Sequence, residues 1–127
     1  MHTSEIPRDQ WINHLNRFSK THEGWIVTLE VLGTDLGDQE EATKLPLVGV
    51  SADVKAGENR IGITVGGRPD VHLTHFIQSP KHLWVEQSDE PGHDALAVED
   101  GEGKTTVLHF RHVDPDQVER QLPPPKS

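Results

Sequence analysis

The chain has 127 residues, an ordinary length for one domain. It contains 12 lysine and arginine residues against 21 aspartate and glutamate residues, for a formal net charge of −9, and it contains no cysteine. Disulfides, thiolate zinc sites and iron–sulfur clusters are therefore excluded. The acidic balance disfavours binding to nucleic acid or to a membrane surface, because both depend on clustered basic side chains.

The N-terminal residues indicate where the protein is found. They lack the apolar core of a signal peptide, and no apolar run approaches the roughly 18 residues that span a bilayer. The absence of cysteine also suits a reducing compartment. We therefore expect a cytoplasmic protein. No sequence motif indicates a cofactor, and we predict none.

The first predicted element is a helix within residues 7–24. Four apolar side chains recur at helical spacing on one face: Trp11, Ile12, Leu15 and Phe18. Pro7 suits the first turn of a helix, and Gly24 suits a left-handed residue at its C-terminal end.

After Gly24 the hydrophobic period changes to two, which is typical of β-strands. An acidic loop is predicted over residues 34–46, and a short helix over 116–121. No helix is predicted between consecutive strands, which favours antiparallel pairing. The predicted strands cover residues 25–33, 47–57, 60–67, 71–78, 82–87, 95–100 and 105–112.

These elements predict an α+β fold in which an N-terminal helix packs on an antiparallel meander of six or seven strands. The meander is either a curved sheet or a partly open barrel, and the pattern does not choose between them. The single domain is expected to cover residues 1–121. Residues 122–127 are rich in proline and are predicted to form a disordered tail.

Four stretches resemble a family of small bacterial domains: IPRDQW at 6–11, HEGWIVTLEVLG at 22–33, LPLVGVSADVK at 45–55 and HLTHFI at 72–77. The resemblance extends from residue 5 to about residue 112. That family is catalogued as a domain of unknown function. The resemblance therefore implies no activity, cofactor or site residue for this chain.

The stretch HLTHFI places two histidines three residues apart within a predicted strand. Side chains alternate between faces along a strand, so His72, Thr74 and Phe76 share one face and His75 lies on the other. Two histidines of a regular strand at this spacing cannot bind one metal ion together. His75 lies among apolar neighbours and is predicted to be the buried histidine of the chain.

A mixed polar and apolar face is predicted opposite the valine-rich faces of the strands. If the valine-rich faces all point to one core, the opposite faces form a pocket lining, a protein interface or an ordinary solvated surface. The candidate binding residues on this mixed face are Glu30, Asp53, His72, Thr74, Phe76, Trp84, Glu86, His109 and Arg111. The same face also collects Ser51, Thr64, Ile26, Leu32 and Leu47.

Three functions are compatible with the mixed face. The leading hypothesis is a module that binds a protein partner or forms a homodimer through the surface bearing Phe76 and Trp84. The second is a barrel-like domain that binds a small ligand, with the mixed face turned inward. The third is an enzyme with an acid–base pair of Asp53 or Glu30 with His72 or His109, or with a metal site of His72, His109 and one carboxylate. We assign no catalytic residue and no metal ligand.

Overall fold

The computed structural model describes residues 2–33, 37–54, 59–66 and 72–112, with only the backbone described over 37–43. A short strand β1 (His2–Glu5) and one 3-10 turn (Arg8–Gln10) precede helix α1 (Trp11–His22). Seven strands follow: β2 (Ile26–Gly33), β3 (Gly37–Asp53), β4 (Arg60–Val65), β5 (Leu73–Gln78), β6 (Pro80–Gln87), β7 (His93–Asp100) and β8 (Thr105–Arg111).

The eight strands form one antiparallel sheet in the order β1-β6-β7-β8-β2-β3-β4-β5, and this sheet is not closed. Strands β5 and β6 are separated only by Ser79, yet they lie near opposite ends of this order. The sheet must therefore curl so that its two ends approach each other. Ser79 has a positive φ of 53° at this corner. Its N–H donates to the carbonyl of Asn59, and its carbonyl accepts from Gly101, both at 2.9 Å.

Strand β3 runs through the bend of the sheet, pairing with β2 along its first part and with β4 along its last. The ladder with β2 shifts register between Val27 and Glu30, and the ladder with β4 shifts between Leu47 and Gly49. Such register shifts are β-bulges, in which an extra residue bends the strand and increases its twist. Residues 37–46 were predicted to be a loop, but they belong to β3.

Helix α1 packs on the inner face of the curved sheet with its predicted apolar side. Trp11, Leu15 and Phe18 are buried, and Ile12 is partly buried against the same core. The ring of Phe18 meets that of Phe110 on β8 edge-on, with centroids 5.0 Å apart. In the residues that the structure describes, no helix has the length and apolar character needed to cross a membrane.

Polar contacts fix both ends of α1. At its start, the indole N–H of Trp11 donates to the carbonyl of Ile6 at 2.8 Å. Near its end, the hydroxyl of Ser19 accepts from the backbone N–H of Val50 and lies 2.8 Å from the carbonyl of the same residue. The two contacts of Ser19 satisfy the backbone N–H and carbonyl of Val50, beside the bulge at Gly49. Gly24 takes the predicted left-handed conformation, with a φ of 84°.

The predicted α+β fold, with an N-terminal helix on an antiparallel sheet, is confirmed, but the described residues contain eight strands rather than six or seven. The additional strand is β1, which has no hydrophobic alternation and owes its conformation to pairing with β6. The predicted helix at 116–121 and the tail at 122–127 lie outside the described residues.

Two predictions about individual side chains are wrong, one in orientation and one in burial. The bulge between Leu47 and Gly49 turns Leu47 into the core and leaves Val48 exposed, the reverse of strict alternation. His75 does lie on the inner side of β5, but it is only partly buried because β5 is the last strand of the sheet. The buried histidine is His22, at the end of α1.

We expect Leu15→Ala to lower the free energy of unfolding by about 2–5 kcal/mol, because it leaves a cavity at a fully buried position between helix and sheet. Urea denaturation followed by circular dichroism measures this change. The matched control is Asn16→Ala on the exposed side of the same helix, for which we expect a change within about 0.5 kcal/mol. Equal effects of the two substitutions would contradict the proposed helix packing.

Candidate functional site

The side of the sheet turned away from α1 carries a groove over strand β7, which we call the outer groove. Phe110 faces the helix, so its neighbours His109 and Arg111 point to the opposite side. The small side chain of Ala95 lies directly between Glu86 on β6 and His109 on β8. Because a methyl group is flanked by two longer side chains, a depression forms there, and Ala95 is buried beneath it.

The outer groove has a volume of about 490 Å³ and a lining of mixed polar and apolar surface. Its lining combines apolar surface from Ala95 and Ile26 with polar groups from five strands. The polar side chains that matter most for recognition are Lys44, Glu86, His93, His109 and Arg111.

Two side chains with a permanent positive charge, Lys44 and Arg111, line this groove. Arg111 lies directly opposite His93 on one side and Ile26 on the other. Lys44 approaches from β3, where the bulged backbone holds it in the left-handed region with a φ of 58°. Within the described part of the chain, neither cation forms an ion pair with a carboxylate. The groove therefore presents two such cations on a chain whose net charge is −9, and Glu86 and Asp94 also contribute to its lining.

Each groove histidine has a carboxylate beside it. Nε2 of His109 lies 3.6 Å from Oε1 of Glu30, its diagonal neighbour on β2. Nε2 of His93 lies 3.6 Å from Oε1 of Glu90 in the preceding turn. When protonated, each imidazole would be partly neutralised by its partner. Lys44 and Arg111 therefore supply most of the positive charge of the groove.

The nine predicted binding residues do not form one site. Five of them lie on the outer side of β2, β6 and β8, which carry the groove: Glu30, Trp84, Glu86, His109 and Arg111. Only Glu86, His109 and Arg111 line the groove. Trp84 lies farther along β6 and stacks on His82, whose Nδ1 donates to Glu5 on β1 at 2.7 Å.

The remaining four predicted residues lie on β3 or on and just before β5, beyond the bend of the sheet. Asp53 accepts from Arg60 at 3.4 Å, and the guanidinium of Arg60 stacks over the ring of Phe76 at 4.4 Å. The hydroxyl groups of Thr74 and Thr64 lie 3.0 Å apart. His72 is exposed just before β5 begins. The proposed metal site of His72 and His109 is therefore not assembled.

The sequence hypothesis of a ligand barrel with its mixed face turned inward is also wrong, because that face lies on the side away from α1. In the described part of the chain, no three histidine, aspartate or glutamate side chains gather closely enough to hold a metal ion. Of the five polar groove side chains that matter most for recognition, two were missed. Lys44 lies in a predicted loop, and His93 lies in a segment read as a turn, so no strand alternation indicated their direction.

A second polar cluster joins α1 to β7 on the inner side of the sheet. Nε2 of His22 donates to Oδ2 of Asp94 at 2.8 Å, and Nδ1 lies 2.9 Å from the carbonyl of Phe18 and 2.8 Å from the hydroxyl of Thr21. The imidazole stacks on the ring of Phe18 at 3.7 Å. Both ring nitrogens are engaged within the chain, so the cluster is arranged to hold the helix rather than to transfer protons.

A cavity of about 330 Å³ lies beside this cluster and is lined partly by His14 and Arg17. Nδ1 of His14 is buried and makes no hydrogen bond within the described part of the chain. Burial lowers the pKa of His14 below its ordinary value, and the nearby guanidinium of Arg17 lowers it further.

Comparison with known proteins places this geometry in a family. The model of a family of unknown function, DUF5335, matches residues 2–119. An uncharacterized protein from Aquifex aeolicus (strain VF5) is 32% identical over 115 residues, which cover 91% of this chain and 97% of that protein. No solved structure matches the chain. The chain therefore belongs to the DUF5335 family of unknown function, as the sequence resemblance predicted.

We expect Asp94→Ala to lower the free energy of unfolding by about 1–3 kcal/mol, because buried His22 loses the acceptor for its Nε2 proton. Asp94→Asn keeps an acceptor oxygen and should cost less. The control is Asp53→Ala, which removes a solvent-exposed ion pair and should cost less than about 1 kcal/mol. Urea denaturation compares the variants. A loss for Asp94→Ala no larger than that for Asp53→Ala would contradict a stabilising role for the link.

We also expect Arg17→Gln to raise the pKa of His14, yet leave it below 6.5, because burial, the larger cause, remains. Titration of the imidazole signals by NMR measures this shift, and Lys20→Gln on the same helix is the control. In the native protein, His14 stabilises the fold above its unfolded pKa. This contribution declines on acidification below 6.5, because the unfolded chain then binds the proton more tightly. An unchanged His14 pKa in Arg17→Gln would contradict the charge effect.

Proposed function

We propose that this protein is a binding module that holds a small ligand bearing a carboxylate or phosphate group in the outer groove. The observation that carries the proposal is the convergence of Lys44 and Arg111, both without a carboxylate partner in the described residues, on a concave surface of an acidic chain. An anion meets repulsion over most of such a surface, so two cations that form no ion pair within the described residues provide selective attraction.

The chemistry of Arg111 favours recognition of an anionic group. A guanidinium offers two parallel N–H donors that match the oxygens of a carboxylate or phosphate. Arg111 is flanked by His93 and Ile26 on the neighbouring strands, which limit the directions it can take. Arg111 lies on a regular strand rather than on a loop, so its backbone is held in position by the sheet.

The backbone at Lys44 supports the same proposal. A non-glycine residue in the left-handed region is strained, and such strain is concentrated at sites where a side chain must be aimed. The bulge of β3 has this effect here, because it breaks the alternation of the strand and brings Lys44 to the groove. A regular strand would not need this conformation.

The remaining surface of the groove suits the body of a small molecule. Ala95 and Ile26 offer apolar contact, and the carboxylate of Glu86 can accept a hydrogen bond from a hydroxyl or amino group of the ligand. The volume of about 490 Å³ falls in the range of small-molecule sites. The expected ligand is therefore a small molecule with an anionic group at one end and a donor group at the other.

We expect inorganic phosphate, used as a probe for the anionic end, to bind saturably in a titration followed by amide NMR signals at constant ionic strength. The shifts should be centred on β7, β8 and the adjoining part of β2. Arg111→Gln should weaken binding by about tenfold or more, because it removes the forked cation. Arg111→Lys, which keeps the charge without the fork, should be intermediate. Acetate, titrated in parallel, reports whether a planar carboxylate binds more tightly.

The matched control for this titration is Lys81→Gln. Lys81 lies at the opposite end of β6 from Glu86, near Gly101, so the variant removes one positive charge outside the groove. It should leave phosphate binding unchanged. Shifts that never saturate, or equal losses in Arg111→Gln and Lys81→Gln, would refute a site at the groove.

A further inference from the structure

Strand β5 presents an open edge at one end of the sheet. It pairs with β4 on one side, and in the described part of the chain no strand pairs with its other side. The opposite end of the sheet is formed by β1, which is only four residues long and carries the charged residue Glu5. An unpaired edge exposes backbone donors and acceptors that a further strand can use.

The side chains of β5 are unusually apolar for an edge strand. Among the described residues, three large hydrophobic side chains are exposed, and two of them, Leu73 and Phe76, lie on β5. Leu73 is 57% exposed and Phe76 is 44% exposed. They lie on different faces of the strand, so the edge offers apolar surface on both sides of the sheet.

Phe76 is held in place before any partner arrives. Its ring lies against the backbone of Gly62 on β4, so closely that a Cβ at that position would be 3.1 Å from the ring. The guanidinium of Arg60 lies over the Phe76 ring, 4.4 Å from the ring centroid, and is itself paired with Asp53. A fixed aromatic side chain loses little conformational entropy when it joins an interface.

The edge also lacks the features that usually prevent strands from pairing between molecules. Residues Leu73–Gln78 contain no lysine, arginine, aspartate, glutamate or proline. The register with β4 is continuous, without a bulge that would twist the edge away. Proteins commonly protect exposed edges with such charges, prolines or bulges.

We propose that two copies of this chain associate through their β5 strands, which pair edge to edge in antiparallel orientation and continue the sheet from one copy to the other. Each copy carries a net charge of −9, so most surfaces would repel their own copy. A strand without lysine, arginine, aspartate or glutamate lets the two molecules approach without placing permanent like charges opposite each other. An isologous pair also needs only this one surface.

The symmetry of such a pair restricts its register. A two-fold axis perpendicular to the sheet places residues of the same face opposite each other, so an axis through His75 matches Thr74 with Phe76 of the second copy. Leu73 then lies opposite Ile77 of the second copy on the inner face. Two Thr74 side chains become diagonal neighbours about 7–8 Å apart.

Sedimentation equilibrium tests the proposal with charge placed on the edge. We expect a dimer for the native chain and a dissociation constant at least tenfold higher for Thr74→Lys, because the two added lysines lie near each other across the axis. The control is Ser51→Lys, at an exposed position of β3 that pairs with Gly62 of β4 and lies two strands away from the open edge. It adds the same charge and should leave dimerisation unchanged. Circular dichroism establishes that both variants are folded.

Cross-linking locates the interface directly, because the chain has no cysteine that could react in the background. Thr74→Cys should be joined into a covalent dimer by a short bifunctional maleimide, whereas Ser51→Cys should not be cross-linked. A native chain that stays monomeric up to about 1 mM would overturn the proposal. So would a dimer that the two lysine variants weaken equally, or cross-linking that is equally efficient at both cysteines.

Discussion

The bend in strand β3 determines the arrangement of the rest of the molecule. One strand pairs with β2 and then with β4, and bulges along it turn its direction between the two ladders. The resulting curvature encloses α1 and lets β5 connect to β6 through the single residue Ser79. A straight β3 would leave the helix on a flat sheet and would require a longer connection at that corner.

The same bend divides the outer surface into two regions with different chemistry. On the side of β2, β6, β7 and β8, small and large side chains alternate between strands to form a groove with exposed cations. On the side of β3, β4 and β5, the outer residues neutralise or cover one another, as in the series Asp53, Arg60 and Phe76. The first region is thus suited to a charged small ligand, and the second ends in an apolar edge that suits another strand.

The inner side of the sheet is organised for stability. The apolar side of α1 is buried against the sheet, and two polar contacts place it along its length: Ser19 with the backbone of Val50, and His22 with Asp94. Asp94 and its neighbours His93 and Ala95 are consecutive on β7, and alternation sends their side chains to opposite faces. One strand therefore anchors the helix on its inner side and lines the proposed binding groove on its outer side.

Hydrophobic spacing was enough to predict the helix, its buried residues Trp11, Leu15 and Phe18, and seven of the strands, because the periods of 3.6 and 2 follow from local backbone geometry. Local geometry does not reveal β1, whose residues His2–Glu5 lack any alternation, or the early start of β3. Both depend on the partner strand across the ladder. The sequence also indicated that Glu86, His109 and Arg111 share a face, since each lies on a strand of regular alternation.

Long-range packing decided how these faces were combined. Strict alternation fails at the bulges of β3, so Leu47 turned inward and Lys44 reached the groove. A bend in the sheet then separated Asp53, Thr74 and Phe76 from Arg111, although all point away from the helix. His22 is the buried histidine. The sequence pattern did not indicate this, because its partner Asp94 lies 72 residues away in the chain. The order of residues along each strand determines which side chains can share a face. The curvature of the whole sheet determines which faces lie next to each other.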